Sequence, residues 1–166
     1  MLDPNHFVDR CLVVANFTLD DLSLNGLIRT RFERDYAEVH LLVPIVRSDS
    51  FRINLRAWSM AASAGIVPLW NVGLDVDGEF SARRSLDAAL ERFRGFGSRV
   101  DGEIAHVTPV VAIRAVLARR SFDEIIISTP PTGVSGWLRL DLPSRVRRQF
   151  GIPVTHVCAN SFVAAT

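Results

Sequence analysis

The stretch "FDEIIISTPPTGVSG" (Phe122 to Gly136) places a short β-branched apolar run between an acidic pair and a turn rich in proline and glycine. "DEIIIST" is too short for a helix and shows no polar alternation, which predicts a strand buried on both faces. Beyond it, Thr129 to Gly136 carries the spacing Gly133-x-x-Gly136, with hydroxyls nearby. Two readings stay open for this turn: a strand-to-helix connection that needs glycine torsions, or a diverged pocket for a nucleotide or anion. "LPSRVRRQFG" (Leu142 to Gly151) then predicts a short basic helix closed by Gly151, and "IPVTHVCA" (Ile152 to Ala159) a last strand.

The same alternation extends toward the N-terminus. "RCLVVANF" (Arg10 to Phe17) and "AEVHLLVPIV" (Ala37 to Val46) read as buried strands. Between them Leu24, Leu27, Ile28 and Phe32 recur at helical spacing behind Asp20 and Asp21, two residues suited to a helix N-terminus. Arg47 to Phe80 is broken by Pro68 and glycines and predicts a partly irregular excursion. "SARRSLDAALERFRGFGSR" (Ser81 to Arg99) returns to helix, with Leu86, Ala89, Leu90 and Phe93 on one face and Ser81 as its expected cap. "GEIAHV" (Gly102 to Val107) predicts a third strand, and "TPVVAIRAVLARRSF" (Thr108 to Phe122) a helix capped by Thr108 with Pro109 in its first turn.

Strands alternating with helices imply an α/β, doubly wound, five-stranded parallel sheet with helices on both faces, in a single domain over residues 1–166. Such sheets bind ligands outside the carboxyl ends of their strands. The candidate segments are therefore Asn16 to Thr18, Pro44 to Arg47, His106 to Pro109, and Ser128 to Val146. The chain contains no lysine, which excludes a P-loop, Schiff-base or receiver-domain lysine. A net charge of +1 provides no bulk field toward nucleic acid or anionic membrane. No apolar run approaches the roughly 20 residues of a membrane span, and "MLDPNHFVDR" lacks a signal-peptide pattern, so a cytoplasmic protein is expected.

Cys11 and Cys158 match no metal or redox spacing and read as small buried hydrophobes. Asp87 and Glu91 read as a solvated helix face, as do Arg145, Arg147 and Arg148. His40 and His106 become neighbours if the second and third strands pair at that height, but no third ligand is placed beside them and no metal site is expected. The hydroxyls of Ser128, Thr129, Thr132 and Ser135 lack a nucleophile elbow, and no catalytic residue is identified.

The order of these pieces resembles the universal stress proteins. "LVVANFTL" (Leu12 to Leu19) resembles their first strand, which ends in an aspartate where this chain has Asn16. "HVTPVVAI" (His106 to Ile113) resembles the start of their third helix, "FDEIIISTPPTG" their fourth strand and glycine turn, and "GIPVTHV" (Gly151 to Val157) their final strand. The resemblance implies strand order 3-2-1-4-5, an adenine-nucleotide site at the switch point (ATP or AMP), and a homodimer through the C-terminal strand. It also implies the residues around a ligand: Asn16, Phe17 and Val43 near the base, Thr129, Gly133, Val134, Ser135 and Gly136 around ribose or phosphate, and Arg139 as charge partner.

The phosphate half departs from the family's Gly-x2-Gly-x9-Gly-[Ser/Thr] pattern. Gly133 and Gly136 satisfy its first half, but the closing pair falls on Leu140 and Asp141, so the loop is shorter. The family's glycines after the fourth strand fall on Ser128 and Pro131. Pro130, Pro131 and Pro143 contribute no N–H to a phosphate nest. Asp141, expected to cap the following helix with its carboxylate, repels a phosphate there unless a divalent cation intervenes. The leading expectation is a universal-stress-protein-like regulator with an atypical adenine-nucleotide pocket. A ligand-free dimeric interaction module comes second. A nucleotide hydrolase or transferase comes last, since neither a HIGH-type nor an SGGxDS-type motif is present.

Overall fold

The computed structural model describes residues 10–15, 18–34, 38–45, 78–96, 99–129 and 141–159. They form strands β1 (Arg10–Val14), β2 (Glu38–Pro44), β3 (Val100–Ala105), β4 (Glu124–Thr129) and β5 (Val154–Cys158). The helices among them are α1 (Leu22–Arg34), α2 (Gly78–Arg94), α3 (Pro109–Leu117) and α4 (Leu142–Phe150). All neighbouring strands pair in parallel, in the order β3-β2-β1-β4-β5. The five expected strands are thus all present, and β3 keeps its expected length but begins and ends two residues earlier than Gly102 to Val107. Gly78 to Phe80, expected to belong to the irregular excursion, instead forms the first turn of α2, so Ser81 lies inside that helix rather than at its cap.

Alternation along the strands divides the core in two. Val13, Ala15, Leu41, Val43 and Ile126 face Leu24 and Ile28 of α1 and Leu86, Ala89 and Phe93 of α2. Leu12, Val14, Leu42, Ile125 and Ile127 face Ala112, Ile113 and Val116 of α3 and Leu142 and Val146 of α4. Helices therefore cover both faces of the sheet, which is why the central strands read as continuous apolar runs. Each fully buried Leu, Ile or Phe contributes about 1.5–3 kcal/mol relative to exposure.

The helix ends follow local chemistry with two exceptions. Asp21 Oδ1 accepts the backbone N–H groups of Ser23 (2.9 Å) and Leu24 (3.3 Å), the arrangement of an N-cap. Gly151 closes α4 at φ 64°, a left-handed position that a side chain would strain. Asp141, by contrast, does not cap α4 with its carboxylate. It sits in the left-handed region (φ 48°, ψ 46°), whereas a capping side chain needs extended backbone, and it makes no side-chain cap bond. Thr108 has extended backbone (φ −60°, ψ 149°), yet its hydroxyl makes no cap bond. There the backbone starts the helix, with Ala112 N–H donating to the Thr108 carbonyl at 2.9 Å.

At the amino ends of the strands a polar network joins β2, β3 and the α3–β4 connection. The register sets His40 opposite Asp101, so the expected juxtaposition of His40 and His106 does not occur: His106 lies beyond β3, its Nε2 3.7 Å from Glu79. His40 Nδ1 lies 2.7 Å from Asp101 Oδ1, and Arg120 Nη1 donates to Asp101 Oδ2 at 2.7 Å. Arg120 Nη1 also lies 3.1 Å from His40 Nδ1, but the carboxylate at 2.7 Å can only accept, so the proton is assigned to Nδ1 and Arg120 donates to Asp101. The buried Nε2 then faces Glu103 at 3.7 Å without a hydrogen bond. Arg120 also lies over the Phe122 ring, 5.6 Å from its centroid. Burial pushes the Asp101 carboxyl upward, but the hydrogen bonds from His40 and Arg120 and their charges outweigh it and hold the group below its usual range.

Two glycines test the packing. A Cβ on Gly102 of β3 meets the Leu41 carbonyl oxygen at 2.8 Å and Leu86 Cδ1 at 2.9 Å, whereas one on the exposed Gly26 of α1 meets nothing within 4 Å. Gly102→Ala is expected to destabilise by about 1–3 kcal/mol. Gly26→Ala is expected to stabilise by about 0.5–1 kcal/mol, both read from urea midpoints. The depressed Asp101 carboxyl gives a signed pH dependence. Its contribution is complete above the ordinary carboxylate range and is lost as pH falls through the folded-state value. Urea midpoints followed into acid are therefore expected to fall less steeply for Asp101→Asn than for the wild type.

Candidate functional site at the switch point

β1 is paired on one side by β2 and on the other by β4, so successive crossovers leave it in opposite directions. The carboxyl ends of β1 and β4 thus flank the switch point in strand order, where open α/β sheets bind ligands. Beyond β1, the turn Thr18–Asp21 is closed by Asp21 N–H donating to the Thr18 carbonyl at 3.1 Å, and Leu19 is buried. Arg92 of α2 clamps the turn from across the α1–α2 layer. Its Nη1 donates to the Leu19 carbonyl and to Asn25 Oδ1, both at 3.2 Å, and its Nη2 to Asp20 Oδ1 at 2.7 Å. Asp20 and Asp21 therefore divide the work: Asp21 caps α1, and Asp20 ties α1 to α2.

Two buried hydroxyls at this edge have no hydrogen-bond partner among the described residues. Thr18, 5 % exposed, follows β1, and Ser128, 0 % exposed, lies near the end of β4; the Oγ1 of the first and the Oγ of the second are both unsatisfied. Ser128 shares its sheet face with Ile126, the face covered by α1. A buried hydroxyl left without a partner costs about 1–3 kcal/mol, and such groups are few in folded proteins. Both hydroxyls can donate and accept, so each can bond a sugar hydroxyl or a heterocycle nitrogen.

The residues singled out from the sequence fall into two groups. Val43 is fully buried on the α1–α2 face near the end of β2, and Thr129 is fully buried as the last residue of β4. The Thr129 hydroxyl lies 2.8 Å from His156 Nε2 of β5, and the Thr129 carbonyl accepts the Ala159 N–H at 2.8 Å. Its polar groups are thus engaged with β5. Asn16, Phe17, Gly133, Val134, Ser135, Gly136 and Arg139 lie outside the described residues. Thr18 and Ser128 fell within the segments expected to hold a site, but neither stood out among the nearby hydroxyls. Arg92 was missed, because nothing local marks it as the partner of a turn far away in the chain.

The remaining candidates have structural surroundings. Asp87, Glu91, Arg145, Arg147 and Arg148 are exposed. Arg147 also donates to the Val154 carbonyl at 3.1 Å, tying α4 to β5. Cys11 is buried and Cys158 half-buried, and neither is in a disulfide. Among the described residues, no group of three or more His, Cys, Asp or Glu side chains could hold a metal ion, and no helix is long and apolar enough to cross a membrane.

No protein-family model matches the sequence, and no curated protein matches it. Solved structures do match in fold. A protein from the universal stress protein family from Burkholderia pseudomallei aligns with TM-score 0.58 and 14 % identity, covering 93 % of this chain and 98 % of its own. A universal stress protein in complex with cAMP aligns with TM-score 0.53 and 13 % identity, over 92 % and 98 % of the two chains. The universal stress protein from Archaeoglobus fulgidus in complex with dAMP aligns with TM-score 0.54 and 12 % identity, over 93 % and 98 %. At such identities the likeness is one of architecture, and the strand order β3-β2-β1-β4-β5 with helices on both faces is the fold of the universal stress proteins.

Proposed function

We propose that this chain is a cytoplasmic, universal-stress-protein-like regulatory protein that binds a small adenine-containing ligand, ATP and AMP among the candidates, at the carboxyl ends of β1 and β4. The observation that carries this reading is the pair of unsatisfied hydroxyls, Thr18 Oγ1 and Ser128 Oγ, flanking the switch point. A ligand that hydrogen-bonds both supplies what folding leaves unmet. The cAMP and dAMP complexes of proteins with this fold support an adenine ligand class. Val43 and the segment around Asn16 and Phe17 are proposed for the base. Thr129, the turn Gly133 to Gly136 and Arg139 are proposed for ribose or phosphate.

A second copy of the chain is proposed to pair along β5, the sheet edge next to β4. Edge strands expose backbone groups that another strand can satisfy. Ile125 N–H donates to the Pro153 carbonyl and Ala159 N–H to the Thr129 carbonyl, so the His156 backbone between them points away from β4. His156→Pro is expected to shift sedimentation from dimer toward monomer by removing an edge N–H.

The ligand reading is tested by isothermal titration with adenosine, AMP, ADP, ATP and cAMP, each with and without Mg²⁺. Heat with at least one is expected; silence with all of them overturns it in favour of a ligand-free interaction module. Ser128→Ala is expected to weaken binding about two- to tenfold while leaving stability equal or raised, because it removes a buried hydroxyl that only a ligand satisfies. An unaltered affinity with lowered stability would assign Ser128 to packing instead.

A further inference from the structure

We infer that the switch-point site selects an uncharged nucleoside over its phosphorylated forms, with Asp141 as the discriminating residue; this rests on the ligand reading above. α4 follows β4 and precedes β5, which lies parallel beside it, so the crossover begins α4 at the carboxyl edge of the sheet. A helix N-terminus at that edge ordinarily favours phosphate through free N–H groups and the helix dipole. Here Asp141 immediately precedes the helix. It is exposed, its carboxylate makes no cap hydrogen bond, and it has no ion pair among the described residues. No cation among the described residues neutralises this charge, which stands at a helix start that would otherwise favour phosphate. Pro143, in the first turn, removes one of the donors.

Arg145 lies one turn further along, and its backbone N–H is engaged by the Asp141 carbonyl at 2.9 Å. Its side chain forms no ion pair with the Asp141 carboxylate. The chain offers no lysine to reverse the balance. The second observation is independent of the helix. Thr18 Oγ1 and Ser128 Oγ, more than nine-tenths buried and unpartnered, are neutral groups that each donate and accept. They match ring nitrogens and sugar hydroxyls, while the Asp141 carboxylate at the start of α4 repels anions.

The experiment is calorimetric titration of the full chain with adenosine, AMP, ADP and ATP, with and without Mg²⁺, on the wild type, Asp141→Asn and Asp141→Glu. Asparagine tolerates the left-handed backbone at this position, so the first variant retains the local conformation. Adenosine is expected to bind tightest, with AMP weaker by about five- to tenfold and ADP and ATP weaker still, a gap that narrows in high salt. Asp141→Asn is expected to raise AMP affinity by about the same factor with adenosine unchanged, while Asp141→Glu keeps the discrimination. AMP or ATP binding more tightly than adenosine in either condition overturns this inference and leaves the adenine-ligand reading standing. So does an Asp141→Asn variant whose AMP affinity does not move. Silence toward all four ligands overturns both.

Discussion

The structure depends on the burial of β1. Leu12, Val13 and Val14 have no exposed surface, so their peptide groups can be satisfied only within the sheet. Apolar helices cover both faces of the strand, and its two edges must therefore be hydrogen-bonded by neighbours, β2 on one side and β4 on the other. Right-handed parallel crossovers cannot lead to opposite sides of one strand without reversing direction in the sheet. The reversal falls between the carboxyl ends of β1 and β4, the place where open α/β sheets bind ligands. The position of the candidate site is thus a consequence of how the most buried strand satisfies its backbone.

The two ends of the sheet handle polarity in different ways. At the amino end, His40, Asp101 and Arg120 close a compact network, with Glu38 linked to Arg10 and Glu103 to Arg119. Most of these side chains are neutralised locally, and their strongest contacts join an edge strand to the interior. At the carboxyl end, Thr18 and Ser128 are buried without partners, while Arg92 spends its donors fixing the turn that carries Thr18. Satisfied polar groups rigidify a fold, and unsatisfied ones at a concave edge leave bonding capacity for a ligand. The same contrast applies to α4, whose start carries an aspartate with no ion pair among the described residues and whose exposed arginines face solvent.

Much of the fold was legible from sequence because the signals are short-ranged. "EIIIST" can hardly be anything but a buried strand, Asp21 is adjacent to the N–H groups it caps, and Gly151 ends a helix at a torsion glycine favours. The misread features are those in which local chemistry was outweighed. Asp141 has a capping side chain but not a capping backbone, since the chain approaches α4 through a left-handed residue. Ser81 has the hydroxyl of a cap, yet the helix extends past it to Gly78. His106 lies one residue beyond the end of β3, and the register of β2 on β3 gives His40 an aspartate for a neighbour.

The amino-acid sequence by itself determined the alternation of strands and helices, the two-sided burial of the sheet, and the absence of any lysine chemistry. These follow from hydrophobic period and composition, which no distant contact can alter. Only the tertiary structure decided which polar groups would be satisfied. Arg92 reaches back 73 residues to the Leu19 carbonyl, and His156 reaches 27 to the Thr129 hydroxyl. The Ser128 hydroxyl, next in the chain to Thr129, finds no partner among the described residues. A hydroxyl looks alike in every sequence; whether it is met depends on which strand face it occupies and which helix is packed above it.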